Sequence, residues 1–108
     1  MHSRMDRINE LIGQKVSFIL HNNILDPDQY FAVTQVVTSP DLSYCDIEVS
    51  FLNGGDVLIK ILQDQHKHIT TLLSKSLKLR KVPKLRFHID KNSEHAAKIE
   101  ELFKKLEL

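Results

Sequence analysis

Apolar residues recur at three- and four-residue intervals through Met5, Ile8, Leu11, Ile12, Val16, Ile19 and Leu20, the spacing of one buried face on an α-helix. Ser3 followed by Asp6 has the form of a capping box, with the hydroxyl accepting from a first-turn amide and the carboxylate at the positive end of the helix dipole. A helix is therefore predicted from there to about His21, ended by Asn22 and Asn23. The Asp26-Pro27-Asp28 turn then changes the period. Residues 31–38 are rich in valine and threonine and read as a strand, although Gln35 breaks strict alternation. Ser39-Pro40-Asp41 turns the chain into residues 44–52. There Cys45, Ile47, Val49 and Phe51 face one way, and Tyr44, Asp46, Glu48 and Ser50 the other. The pair is a β-hairpin half buried against other elements, and Cys45 on its inward set is a small core residue rather than a nucleophile.

Asn53-Gly54-Gly55-Asp56 breaks the second strand, and Asp56 is expected to cap a second helix. Leu58, Ile61, Leu62, Ile69, Leu72, Leu73 and Leu77 form its apolar stripe. Gln65-His66-Lys67-His68 interrupts the stripe with polar residues, which predicts a kink or two helices meeting. The stripe is expected to end over Leu79-Arg80-Lys81-Val82, since Pro83 biases the residue before it out of helical geometry. Lys84, Arg86 and His88 then alternate with Leu85, Phe87 and Ile89, giving a third strand with a wet basic face. If this strand neighbours the second, Asp46 and Glu48 would neutralise Arg86 and Lys84 across the sheet. Asn92 or Ser93 caps a last helix with Ile99, Leu102, Phe103 and Leu106 on its apolar face, and Glu100–Lys104 and Glu101–Lys105 as solvated pairs. The order is α-β-β-α-(kink)-α-β-α, an α+β chain with a three-stranded sheet and helices on one face.

Length and composition narrow the function classes. The 108 residues suit a single domain, 1–108. A lone cysteine excludes an internal disulfide or a CxxC site. No apolar run approaches bilayer length and the amino end is too polar for a signal peptide, so the chain is expected to be cytoplasmic. Gly13, Gly54 and Gly55 cannot build a dinucleotide fingerprint, a Walker loop or the GxxG clamp of RNA-binding KH domains. His66 and His68 lie two residues apart, on different helical faces and without acidic or thiol partners at ligand spacing, so no metal site is expected.

Charge changes the picture most. The net charge is +1, yet residues 65–89 hold Lys67, Lys75, Lys78, Arg80, Lys81, Lys84 and Arg86 and no acid. A positive field concentrated in an otherwise acidic chain makes nucleic acid the first partner to test. Lys75, Lys78, Arg80 and Lys81 have no acid close in sequence and are the preferred contacts. Arg4 and Arg7, off the apolar stripe of the first helix, either extend this surface or are merely solvated. The seven aromatics lie mostly at core positions, which favours recognition of RNA shape and backbone over stacking of splayed bases.

Asp26-Pro27, the run Ser39-Pro40-Asp41-Leu42-Ser43-Tyr44 entering a strand, and Leu79-Arg80-Lys81-Val82-Pro83-Lys84-Leu85-Arg86-Phe87 ending in Asp90 resemble the bacterial ribosome-binding factor A family. Arg4 and Arg7 on the first helix fit as well. The resemblance covers nearly the whole chain. It implies a type II KH-like fold in a protein that binds the small ribosomal subunit and its rRNA and assists late rRNA processing, especially in the cold; the chain is expected to be a monomer. It implies no catalysis, no cofactor and no small-molecule substrate.

One departure stands out. The family carries Ala-x-Gly where this chain has Gln65-His66-Lys67, so the small residues that ease a sharp bend or a close backbone approach are missing. Side chains of His66, Lys67 and His68 would then take over phosphate contacts. Two other functions remain in view: a KH-like domain serving another RNA, and a protein–protein adaptor using the last helix. An enzyme is not expected, since no paired carboxylates, nucleophile–base set or phosphate loop can be assembled.

Overall fold

The computed structural model of the chain describes residues 3–91. Helix α1 spans Arg4–Ile19, and both halves of its capping box form: Ser3 Oγ accepts from the Asp6 amide and Asp6 Oδ2 from the Ser3 amide, each at 3.1 Å. The α-helical ladder gives way to a π turn, Leu20–Ile24, closed by the Leu25 amide on the Leu20 carbonyl at 2.8 Å. That wider turn, where a plain helix to about His21 was expected, leaves Leu20 and Leu25 both buried.

Strands β1 (Phe31–Thr38) and β2 (Tyr44–Phe51) form the expected hairpin. Its register slips between Val33 and Gln35. Thr34 is the extra residue, and this bulge is why the alternation fails at Gln35. After β2 come helices α2 (Gly55–Asp64) and α3 (His66–Ser76) and strand β3 (Lys84–Ile89). β3 lies parallel to β2, giving the strand order β1-β2-β3. A parallel return needs a long crossover, which the α2–α3 pair supplies.

The three α-helices among the described residues cover one face of the sheet. Cys45, Ile47, Val49, Leu85 and Phe87 from the strands close on Ile12, Val16, Leu58, Leu62, Ile69 and Leu73 from the helices. Burial raises the Cys45 thiol pKa above its ordinary value, consistent with a packing role. The architecture is the type II KH-like α+β fold, with the expected last helix lying outside the described residues.

Three local expectations are corrected. Gly54, not Asp56, precedes the first turn of α2, with φ +72° and no side-chain cap; Asp56 sits inside that turn, where its charge still favours the dipole. Helix α3 stops at Ser76, ahead of the Leu79–Val82 run, because Leu77 turns extended and enters the core from outside the helix. Ser50, placed on the wet face by alternation, is buried, its hydroxyl donating to the Asp90 carbonyl at 3.3 Å. The Thr34 hydroxyl donates to the Asp90 carboxylate, and the Asp90 amide donates to Val49. Asp90 thus ties the bulge of β1 to the ends of β2 and β3.

Each outer edge of the sheet meets an amide side chain from a helix. Asn9 Oδ1 on α1 accepts from the Thr38 amide at 3.0 Å, and Gln63 Nε2 on α2 donates to the Phe87 carbonyl at 3.1 Å.

Candidate nucleic-acid interface

The interruption at Gln65–His68 is a true break between helices. Gln65 takes φ −99° and ψ 14°, the bridge region open to any L-residue. A sharp corner therefore forms without glycine. The Gln65 amide still reaches Ile61 and its carbonyl still receives the Ile69 amide, so little backbone bonding is lost. His66 is half-buried and its Nδ1–H donates to the Gln63 carbonyl at 2.9 Å, which fixes the ring against the corner. Lys67 and His68 are exposed. Of the three side chains expected to replace a backbone clamp, His66 is committed in part to the corner itself.

Lys67, Thr71 and Lys75 follow one another at four-residue intervals down the solvent face of α3, opposite buried Ile69 and Leu73. Lys78 and Arg80 extend this row along the connection to β3 and are exposed. Among the described residues, no carboxylate pairs with Lys67, Lys75, Lys78 or Arg80. Lys81 is exposed too, but its Nζ lies 3.5 Å from Ser43 Oγ in the β1–β2 turn. That turn is tightly organised: Asp41 accepts from the hydroxyls of Ser39 and Ser43 at 2.8 and 2.7 Å and from the Ser43 amide at 3.1 Å. These bonds, the Ser43 hydroxyl foremost, lower the Asp41 pKa to about 2.

The remaining two bases lie elsewhere. The α3 row and the strand bases occupy opposite sides of the molecule, because α3 packs on the covered face of β3 while Lys84 and Arg86 project from its open face. Arg86 stands in register with Asp46 and grips it with two bonds of 2.9 Å, while its guanidinium lies over the Tyr44 ring at 4.4 Å. His88 Nε2 donates to the same carboxylate at 2.9 Å. The Arg86 and His88 bonds hold the Asp46 pKa below the ordinary carboxylate range. The expected cross-strand neutralisation is therefore realised for Arg86; no ion pair forms at Lys84 among the described residues. A groove of about 290 Å³ along the outer edge of β3, lined by Gln63, His66, Lys84 and His88, links the corner to this second surface.

Arg4 and Arg7 are exposed on α1. Sequence reasoning missed their apolar neighbour on the same side, Phe18, which is 67% exposed. Its position off the apolar stripe was the available signal.

A family model described as ribosome-binding factor A matches residues 4–103. Ribosome-binding factor A of Buchnera aphidicola (from Cinara cedri) is 33% identical over 111 residues, covering 96% of both chains. The solution structure of a putative ribosome binding factor A from Thermotoga maritima superposes with a TM-score of 0.70 at 26% identity, over 85% of this chain and 93% of that one. A Thermus thermophilus ribosome binding factor A homology model, fitted into a cryo-EM map of a 30S complex, shares the fold at a TM-score of 0.59 and 17% identity, over 77% of this chain and 87% of that one. Near-complete coverage by the family model and by a relative at this identity, on the fold the family adopts, places the chain in the ribosome-binding factor A family.

Proposed function

We infer that this protein binds the small ribosomal subunit through the phosphates of its RNA and assists late maturation of small-subunit rRNA, as a non-catalytic, monomeric factor in the cytoplasm. The whole chain acts as one RNA-binding domain. The observation that carries the reading is the row Lys67, Lys75, Lys78 and Arg80, solvent-facing and without carboxylate partners among the described residues, on a stretch free of acids. Such a row suits backbone contact with structured RNA. The Thermus relative has been placed in a 30S complex, which makes the same subunit the natural target. Arg4 and Arg7 supply further contacts. Lys81, Lys84 and Arg86 contribute less, since two of them are engaged within the protein and two face the other side of the sheet.

Co-sedimentation with purified small subunits across a salt series tests the proposal. Stoichiometric, salt-sensitive binding is expected, and it should be lost when Lys75, Lys78, Arg80 and Lys81 are replaced by alanine. Absence of binding at low salt, or salt-insensitive binding untouched by the substitutions, would refute it.

A further inference from the structure

Exposed Arg4, Arg7, Leu11 and Phe18, half-buried Lys15 and, in the π turn, exposed Asn22 follow one another along α1 at intervals of three and four residues that align them along one ridge. No acid falls on it. Asp6, Glu10 and the core residues Ile12, Val16 and Ile19 lie on other sides of the helix. Leu11 and Phe18 are among the exposed large apolar side chains. Of the other described aromatics, Phe87 is buried, Tyr30, Phe31 and Phe51 are half-buried, and Tyr44 has one face under the Arg86 guanidinium. Phe18, at 67% against 43% for Tyr44, is thus the most exposed ring among the described residues.

We propose that this ridge is a platform for an unpaired RNA base, stacked on Phe18, with Lys15, Arg7 and Arg4 holding the phosphates of the strand that leads to it. The proposal rests on the RNA-binding reading above and adds a contact of a different kind, to a base rather than to helical backbone. Stacking on an aromatic ring tolerates every base because each has a π face. At a rise of about 1.5 Å per residue, Lys15 lies about 4.5 Å and Arg7 about 16 Å along the axis from Phe18. That span follows a strand of a few nucleotides. The ring also stands where α1 opens into its π turn, a feature that often marks functional positions. Asn22 Nδ2 donates to the Phe18 carbonyl at 2.8 Å and braces the backbone there, with His21 and Asn23 exposed beside it.

A partner protein fits the ridge less well. Helix docking into an apolar groove uses apolar anchors at successive i, i+3, i+4 and i+7 positions. Here only Leu11 and Phe18 are apolar, and three cations and Asn22 occupy the other places.

The chain has no tryptophan, so Phe18→Trp introduces a single fluorescent reporter at an exposed site. Titration with an unstructured single-stranded RNA oligonucleotide should quench it, while a blunt duplex of equal length should not. Phe18→Leu, which keeps the apolar surface and removes the π face, should lower single-strand affinity about tenfold, and Phe18→Tyr should preserve it. Sedimentation with small subunits runs alongside. Persistent subunit binding with no quenching, or with Phe18→Leu unchanged, overturns the platform and leaves the proposed function standing. Failure of the wild type to bind either subunits or oligonucleotide overturns both. Quenching by ribosomal proteins but not by RNA overturns the platform in favour of a protein partner.

Discussion

The salt dependence of subunit binding has a magnitude that the geometry restricts. If all seven bases of residues 65–89 met phosphate, the log of affinity against the log of salt would fall with a slope of about −5 to −6, at about 0.7 to 0.9 per contact. The fold withdraws three of them. Arg86 is held by Asp46 and stacked on Tyr44, Lys81 reaches Ser43, and Lys84 projects from the face opposite α3. Lys67, Lys75, Lys78 and Arg80 remain, for a slope of about −3 to −4 from this surface. Replacing Lys75 and Lys78 by alanine should flatten it by about 1.4 to 1.8, whereas Arg86→Ala should leave it unchanged. The assay is co-sedimentation with small subunits at graded potassium chloride, with the bound fraction converted to affinity at each concentration. The result that would refute the reasoning is a flattening by Arg86→Ala as large as that from Lys75→Ala. The Asp46 pair would then open on binding, and the open sheet face would belong to the interface.

Two other perturbations probe the fold that carries these residues. Asp41, with its pKa lowered to about 2, contributes stability that is present above the ordinary aspartate value of about 3.9 and is lost as pH falls through its folded value. Asp41→Asn should therefore flatten the fall of Tm with pH on the acid side, and parallel curves for the two proteins would exclude this role. Gly54→Ala places a side chain at φ +72°, with space for the Cβ beside Leu58 at 3.9 Å. The left-handed conformation alone should cost on the order of 1 kcal/mol in urea denaturation, and an unchanged midpoint would show that α2 starts equally well from another conformation.

What the sequence disclosed was mostly local. The α1 stripe and its capping box, the strand alternation of Leu85 and Phe87, and the break at Gln65 each depend on neighbours within a few residues, where periodicity and side-chain chemistry act directly. The misplacements arose where a distant contact decided the outcome. Ser50 follows the wet-face alternation but is covered by its bond to Asp90, forty residues on. Leu77 fits the helical stripe but is buried from an extended segment, because the core accepts the side chain from either backbone geometry. The same holds for the candidate interface. The acid-free run was legible from composition and the wet face of β3 from its alternation, but the pairing that removes Arg86 follows from the parallel register of β2 and β3, which no local pattern encodes. Cross-strand capture of Arg86 was anticipated only on the condition that the two strands were neighbours.

The amides of Asn9 and Gln63 have a consequence for the life of the protein away from any partner. A sheet of three strands is mostly edge: two of its three strands present unpaired backbone groups, each a template onto which another chain could add. A helix-borne amide spans each side, one accepting from Thr38 and the other donating to Phe87. An incoming strand would have to displace that side chain before it could zip along the edge. Two neutral side chains thus act as guards against self-polymerisation without adding charge to either edge of the sheet.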